Sequence, residues 1–220
     1  MLTAVTDASG HIGANLVRAL LKEGRPVRAL VNTDRKALNN LNVETVQCDV
    51  CDPYSLYRAF AGADVVYHLA TTIALSMNDW PAVEAVNVTG TRNVVDACLK
   101  CGVRRLVHFS SIHALLQEPL NSPVNELRPL VDSEDCPPYD RSKAAGEREV
   151  RQGIEQGLDA IILNPTGVIG PHDYKLSYFG EVLLAMAQGK LPALVEGGFD
   201  WVDARDVVQG ALRAEERAPI

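Results

Sequence analysis

The sequence predicts an α/β fold built on one doubly wound parallel sheet, and two observations support this. In the first 165 residues, short runs rich in β-branched residues alternate with longer segments whose apolar residues recur at helical spacing. This alternation is typical of repeated strand–helix–strand units with parallel strands. The chain has 220 residues, of which 47% are hydrophobic and 22% charged, so it can bury a substantial core. We expect a main domain over 1–165 and a small C-terminal lobe over 166–220 packed on it.

The elements follow from local patterns taken in order. The first helix should join the first two strands, because Ile12, Leu16 and Leu20 recur every four residues. Asp52 followed by Pro53 is typical of a helix start, so a second helix should run to about Phe60. A long helix is expected from about Trp80 to Leu99. We predict strands near 2–6, 26–31, 43–48, 64–68, 104–110 and 159–163.

The later part of the chain is less regular. The stretch from Gln117 to Pro138 contains five prolines and no periodicity, which predicts a long surface loop. Loops of this length inside compact domains are commonly functional. Helices are expected near Phe179 to Gln188 and from about Ala204 to Glu216.

A glycine-rich turn lies between the first strand and the first helix, in the sequence Thr6-Asp7-Ala8-Ser9-Gly10-His11-Ile12-Gly13. Strand, turn and helix in this order are typical of a Rossmann-type site, where a dinucleotide diphosphate binds the helix N-terminus. Gly10 would let the backbone approach the phosphates, and Gly13 would let the helix lie close to the sheet. A tight turn that binds nothing is the alternative.

Tyr139 and Lys143 lie four residues apart, and hence on one helix face, just beyond the proline-rich loop. A tyrosine ionises near pH 10, so it needs a nearby cation to act as an acid or base at neutral pH. Lys143 could supply that charge. Ser111 follows the fifth strand, where its hydroxyl could hydrogen-bond a substrate carbonyl. In isolation, such a Tyr–Lys pair is usually only a surface pair.

Composition excludes some partners. The formal net charge is -7 and no Lys/Arg cluster is present, so nucleic acid is not expected to bind. Met1 leads directly into an apolar stretch without a basic leader, and no segment approaches membrane-spanning length. We therefore expect a cytoplasmic protein with a small-molecule substrate and no membrane contact.

Two CxxC pairs superficially suggest zinc. Cys48 should end a strand, whereas Cys98 and Cys101 should close a helix that leads to the start of a later strand. These positions lie at opposite edges of a parallel sheet, about 17 Å apart. That separation is far beyond a Zn–S bond, so we expect reduced thiols and no metal site.

The sequence resembles a known family, the extended short-chain dehydrogenase/reductases, over residues 2 to about 210. This family includes NAD-dependent epimerase/dehydratases, dihydroflavonol reductases and 3β-hydroxysteroid dehydrogenases. The motifs that carry the resemblance are TDASGHIG at 6–13, Asp49-Val50, DVVYHLA at 64–70, NVTGTRNV at 87–94, FSSI at 109–112, YDRSK at 139–143 and NPTGVIGP at 164–171.

The resemblance implies roles for particular residues. Tyr139 would be the catalytic acid/base, Lys143 would lower its pKa and hold the nicotinamide ribose, and Ser111 would orient the substrate oxygen. Asn87 would support the catalytic lysine, although a buried structural amide explains it equally well. His68 is expected to shape the cofactor wall, and His113 could face substrate or have no role. The cofactor-binding residues would be Thr6, Gly10, His11, Ile12, Gly13, Asn32, Arg35, Asp49, Val50, Leu69, Ala70, Thr71, Tyr139, Lys143, Pro165, Thr166 and Val168.

Two features depart from the family pattern. Asp7 replaces the first glycine of the turn, so its carboxylate would weaken binding of an anion unless it points away. Family members also continue well beyond the segment Trp201 to Val207, so we expect the substrate lobe to be incomplete. Activity therefore follows less directly from the sequence than the fold does.

The sequence is compatible with three functions. The NPTGVIGP segment resembles the reductase branch, which favours hydride transfer between a nicotinamide cofactor and a carbonyl or secondary alcohol. An epimerase or dehydratase of a nucleotide sugar, or a non-catalytic NAD(P)-binding scaffold or sensor, are the alternatives.

The cofactor and the oligomeric state are less constrained by the sequence. Asn32, followed by Asp34, Arg35 and Lys36, favours NADP slightly over NAD. Small and apolar faces on the helices at 80–99 and 141–156 could form a homodimer, or could simply be buried in the core.

Overall fold

Six parallel strands form the central sheet in a computed structural model that describes residues 1–74, 76–191, 193 and 196–217. The strands are β1 (Thr3–Val5), β2 (Val27–Val31), β3 (Glu44–Gln47), β4 (Val65–His68), β5 (Arg105–Phe109) and β6 (Ala160–Leu163). Their order is β3-β2-β1-β4-β5-β6. The chain adds β2 and β3 on one side of β1 and then crosses to add β4, β5 and β6 on the other side, so the order of the strands reverses between β1 and β4. This order is that of the Rossmann fold, and the predicted fold class and all six strands are confirmed.

Helices cover both faces of this sheet. They are α1 (His11–Lys22), α2 (Pro53–Phe60), α3 (Trp80–Val83), α4 (Gly90–Cys101), α5 (Pro138–Glu155), α6 (Tyr178–Ala187) and α7 (Ala204–Arg217). Asp52 caps α2 as predicted, because its carboxylate accepts a hydrogen bond from the Tyr54 N–H at 3.0 Å. The predicted long helix from Trp80 differs in one respect, since Glu84–Thr89 between α3 and α4 is a π-helix.

The core is divided between the two faces of the sheet. On one face, Phe60 of α2 and Val94 of α4 pack against Val66 and Leu106. On the other face, Leu16 of α1 packs with Val5 and Val107, and Val208, Ala211 and Leu212 of α7 join the same cluster. The final helix, assigned from the sequence to the C-terminal lobe, therefore contributes to the core of the main sheet.

Two short strands were not predicted. β7 (Gly167–Ile169) and β8 (Trp201–Asp203) pair in parallel to form a separate two-stranded sheet. The segment after β7 is attached to the main domain by Asn15 of α1, whose amide donates to the carbonyl oxygen of Pro171 at 2.8 Å. Helix α6, which follows, exposes several apolar side chains, including Val182, Leu183, Leu184 and Met186.

Small residues on α5 allow close packing within the chain. Ala144 is fully buried, and a Cβ added to Gly146 would lie 2.4 Å from the carbonyl oxygen of Asn87. Gly146 is therefore explained by contact between α5 and the π-helix, and Ala144 by packing with Ala114 and Val131. A homodimer through the helices at 80–99 and 141–156 stays a prediction.

The described part of the chain has no cluster of metal ligands and no membrane-spanning helix. Cys48 and Cys98 are buried, and all five cysteines are free thiols. Within the described residues, no group of three or more His, Cys, Asp or Glu side chains is placed to hold a metal ion. No helix in that part of the chain combines the length and apolar character needed to cross a bilayer.

Candidate active site

A cleft opens at the carboxyl edge of the sheet, next to the point where the chain reverses between β1 and β4. Ligands of doubly wound sheets bind at this point. Six residues predicted to bind the cofactor line the cleft, namely Thr6, Asn32, Asp49, Val50, Ala70 and Thr71. Its other lining residues are Asp7, Leu30, Cys48, Thr72, Val86 and Lys175. Arg35 was predicted to take part, but it is exposed and lies outside this lining.

The glycine turn brings α1 directly against β1. A Cβ at Gly13 would lie 2.2 Å from the carbonyl oxygen of Asp7, so only glycine allows this approach. Gly10 is the N-cap of α1 and provides no side-chain hydrogen bond to the first turn. The N–H groups of that turn, which include those of His11 and Ile12, therefore have no side-chain cap and suit an anion such as a diphosphate.

Asp7 is the feature of the turn that fits a diphosphate least well. Its φ of 48° is left-handed, a conformation that Asp tolerates better than most residues. The carboxylate lies over Gly10, because a Cβ there would be 2.2 Å from Asp7 Oδ2. Burial raises the pKa of Asp7 to about 6, and the charge of Lys175 opposes this rise. The N–H groups at the start of α1 and the lining residues at the ends of β2 and β3 thus fit a dinucleotide. Asp7, however, puts a titratable carboxyl group where the phosphates would bind.

A chain of hydrogen bonds fixes the floor of the cleft. Thr6 Oγ1 accepts the N–H groups of Leu69 and Ala70 at 3.0 and 3.1 Å, and lies 2.9 Å from His68 Nδ1. His68 Nε2 lies 3.1 Å from Thr91 Oγ1. Burial, together with the charge of Lys143, lowers the pKa of His68 to about 3, so the imidazole is neutral. His68 therefore links Thr6 to Thr91 beneath the cleft and is uncharged at neutral pH.

The three predicted catalytic residues lie close together. Ser111 follows β5, and its hydroxyl accepts the His113 N–H at 3.2 Å and lies near enough to Tyr139 to affect its pKa. Tyr139 lies in the first turn of α5, and Lys143 is one turn further along the helix. The structure therefore brings Ser111 and Tyr139 into contact beside a buried lysine.

The charges of this group differ from the prediction in one respect. The pKa of Tyr139 is raised, chiefly by burial, while the nearby Ser111 hydroxyl acts in the opposite direction. Lys143 was predicted to lower it, but the Lys143 ammonium instead donates to the carbonyl oxygen of Phe109 at 2.8 Å. Burial lowers the pKa of Lys143 to about 8, and Glu147 opposes this shift. In the protein alone, the phenol is therefore protonated at neutral pH.

Asn87 is buried in the π-helix, and its amide makes four hydrogen bonds. Its Oδ1 accepts from Thr71 Oγ1 at 3.0 Å and from the Thr72 N–H at 2.8 Å. Its Nδ2 donates to the Thr72 carbonyl oxygen and to Ser142 Oγ, each at 2.8 Å. Asn87 thus joins the cleft wall to the residue before Lys143, which accounts for both interpretations of this amide.

Two residues beside the predicted catalytic group were not predicted to take part in the site. Glu147 is buried one turn after Lys143, and Asn164 Nδ2 donates both to Glu147 Oε2 and to the Ser111 carbonyl oxygen, each at 3.0 Å. The spacing of Lys143 and Glu147 was a signal, but such pairs are common on exposed helices. Pro165 lies close by, since its carbonyl oxygen accepts the Ile112 N–H at 3.0 Å. Thr166 follows it, and Val168 lies in β7.

His113 lies at the mouth of the site. Its ring meets that of Tyr139 edge to face, with the centroids 5.9 Å apart, and its Nδ1 is 3.2 Å from Asp140 Oδ1. The hydrogen bond with Asp140 raises the pKa of His113. The side chain is about half exposed, so it is placed to meet a substrate that reaches Tyr139.

The NAD dependent epimerase/dehydratase family matches residues 3–219 of the chain. The chain belongs to this family. It is 39% identical over 219 residues to sterol demethylase protein B of Methylococcus capsulatus, covering 99% of this chain and 66% of that protein. It is 35% identical to a protein of Synechocystis sp. named after dihydroflavonol 4-reductase, covering 97% and 62%. The chain thus spans somewhat less than two thirds of the length of these relatives.

Solved structures agree with this assignment. The crystal structure of gox2253 is 36% identical and covers 100% of this chain and 67% of that one, with a TM-score of 0.92. The Thermus thermophilus UDP-glucose 4-epimerase in complex with NAD is 27% identical, covers 97% and 74%, and has a TM-score of 0.82. The predicted membership of the extended short-chain dehydrogenase/reductases is confirmed.

Proposed function

We propose that the protein transfers a hydride between a nicotinamide cofactor and a carbonyl or secondary alcohol, with Ser111, Tyr139 and Lys143 as the catalytic residues. The observation that carries this proposal is the placement of Ser111 beside Tyr139, together with the buried Lys143 one turn further along α5. A Tyr–Lys pair that lies only on a protein surface is not expected to have a buried lysine and a serine beside the tyrosine. Family membership supports the same chemistry.

In this mechanism the bound nicotinamide supplies or accepts the hydride. For reduction, Tyr139 donates its phenolic proton to the substrate oxygen, and its raised pKa keeps that proton in place beforehand. Ser111 Oγ is held by the His113 N–H, and its hydroxyl would donate to the same substrate oxygen as negative charge develops. The Lys143 ammonium, fixed by the Phe109 carbonyl, would then stabilise the phenolate.

For the cofactor we propose NADP ahead of NAD, although NAD is the cofactor named for the family and for the Thermus relative. The side chain at the end of β2 that lines the cleft is Asn32, an amide. A carboxylate at this position would bind the ribose hydroxyls and repel a 2′-phosphate, whereas nearby Arg favours that phosphate. Titration of the protein with NADPH and NADH in parallel would test the preference.

The test of the proposed reaction follows nicotinamide absorbance with a panel that contains a dihydroflavonol, a steroid ketone and UDP-glucose. We expect turnover with a carbonyl compound, and a loss of about 10²- to 10⁴-fold in kcat for Tyr139→Phe, because the proton donor is removed. Tyr54→Phe is the control, since Tyr54 is exposed on α2. An unchanged rate for Tyr139→Phe would refute the proposed role.

An epimerase is the second candidate, and the similarity to the Thermus UDP-glucose 4-epimerase favours it. The same three residues would act, but the hydride would return to the sugar. Epimerisation of UDP-glucose without net change in the nicotinamide would therefore identify this reaction. Tight cofactor binding with no turnover of any compound would favour a scaffold or sensor, for which Asp7 in the turn is the supporting observation.

A further inference from the structure

Lys175 reaches the cofactor cleft from outside the predicted dinucleotide-binding domain. It lies between β7 and α6, yet it lines the cleft together with Asp7 and Asn32. Its charge acts on the carboxyl group of Asp7, which lies over Gly10 in the glycine turn. A cation and a carboxylate thus line the same cleft, close to where the diphosphate of a dinucleotide would bind.

The segment that carries Lys175 is attached at both ends. On the side of α1, Asn15 holds the Pro171 carbonyl oxygen at 2.8 Å, and the Arg18 guanidinium lies 5.7 Å from the Tyr174 ring centroid. On the side of α6, both carboxylate oxygens of Asp173 accept the Ser177 N–H, at 3.0 and 2.9 Å. The position of Lys175 is therefore set by contacts with two helices.

The other ionisable groups around Asp7 do not replace Lys175. Among the described residues, Lys175 is the one charge that acts on the pKa of Asp7. Asp49 lies on the β3 side of the cleft, where its Oδ1 accepts the Cys51 N–H at 2.9 Å. Burial raises the pKa of the Cys48 thiol, which is therefore neutral. His11, at the start of α1, acts on Asp203 instead.

We propose that Lys175 binds a diphosphate oxygen of the dinucleotide, and that Asp7 is its counter-charge in the free protein and takes up a proton from solvent when the dinucleotide binds. This inference rests on the proposed function only in requiring that the cleft bind a nicotinamide dinucleotide. The diphosphate approaches the N–H groups of α1, and an ionised Asp7 would repel it. Lys175 is released from Asp7 as the carboxyl group becomes neutral.

Calorimetric titration with NAD⁺ at about pH 8 tests the two residues. Lys175→Met should weaken binding about tenfold, because a charge-assisted hydrogen bond is lost. Asp7→Asn should tighten binding up to about a hundredfold, because a carboxyl group with a pKa of about 6 no longer has to take up a proton at this pH, while the left-handed turn is kept. Lys22→Met is the matched control, since Lys22 is exposed at the opposite end of α1.

The proton is detected by the pH dependence of NAD⁺ affinity, which avoids the titration of the NADP 2′-phosphate. Affinity of the unaltered protein should fall by up to about tenfold per pH unit above about pH 6, while that of Asp7→Asn should stay nearly constant. Titrations in two buffers with different heats of ionisation should show proton uptake that approaches one per site at about pH 8. Asp7→Asn should take up none.

The titrations distinguish failure of the proposed function from failure of the roles proposed for Lys175 and Asp7. Failure of the unaltered protein to bind NAD⁺ or NADP⁺ would overturn both this inference and the proposed function. Normal binding with no effect of Lys175→Met, or no proton uptake, would overturn the inference alone. If Lys175→Met weakened NADP⁺ and spared NAD⁺, the lysine would recognise the 2′-phosphate, and its assignment to the diphosphate would be wrong.

Discussion

Asp7 lies where burial opposes its charge, so the stability of the protein should depend on this side chain and on pH. Its pKa is about 6 in the folded protein, against an ordinary value of 3.8. Because the folded value is the higher one, folding favours the protonated form, so stability falls as the pH rises from about 4 to about 6 and the full loss persists above pH 6. The effect vanishes below the ordinary value, where both states are protonated.

Asp7→Asn should therefore raise the free energy of unfolding by about 1 to 2 kcal/mol at about pH 8, and by much less at about pH 4. The amide keeps the shape of the side chain and tolerates the left-handed φ. Urea denaturation at the two pH values measures the difference. An equal gain at both, or a similar gain for the exposed control Asp135→Asn, would contradict the explanation from burial.

Residues whose role depends on near neighbours in the chain were predicted from the sequence. The spacing of Tyr139 and Lys143 placed both on one face of α5, and the glycine turn placed Thr6 just after β1 and Gly13 in the first turn of α1. Glu147 and Lys175 were missed, because their positions depend on packing between distant segments. A lysine in an irregular segment, such as Lys175, gives no local signal of the cleft that it reaches.

At the scale of elements, the six strands of the main sheet were predicted because buried parallel strands leave runs of β-branched residues. The π-helix at Glu84–Thr89 was not predicted, since its hydrogen-bond shift leaves the apolar spacing nearly unchanged. β7 and β8 have three residues each, too few for a periodic pattern. The π-helix carries Asn87, so its packing against α5 affects the site directly.

Gly146→Ala tests the contact between α5 and the π-helix. The new Cβ would lie 2.4 Å from the carbonyl oxygen of Asn87, a backbone atom that cannot move alone. We expect a loss of about 1 to 3 kcal/mol in the free energy of unfolding, because the two helices must separate. The same shift should disturb Ser142 and Lys143, so kcat should fall as well.

Gly210→Ala in α7 is the matched control. No atom lies within 4 Å of a Cβ added there, so the substitution meets open space. It should raise the free energy of unfolding by about 0.5 to 1 kcal/mol, because alanine favours the helix. Equal effects of the two substitutions in denaturation experiments would show that the contact at Gly146 is not the cause.

At the scale of the whole molecule, α7 connects the C-terminal region to the main sheet through a buried cluster of charges. Glu215 is nearly inaccessible and lies 2.6 Å from Arg25 Nη1 and 3.3 Å from Arg104 Nη2. The Tyr67 hydroxyl donates to its carboxylate at 2.6 Å, and Arg105 donates to its carbonyl oxygen. The cluster therefore links α7 to β4, β5 and the start of β2.

Glu215→Gln should lower the free energy of unfolding by about 3 kcal/mol, because Arg25 would be left without its buried counter-charge. Hydrogen exchange should also show faster opening of α7, since the apolar contacts of Val208 and Leu212 alone would then hold it. The exposed neighbour Glu216→Gln should change stability by less than about 0.5 kcal/mol. If Glu215→Gln unfolded with unaltered stability, α7 would be held by its apolar face, and the charges would serve only to fix its register on the sheet.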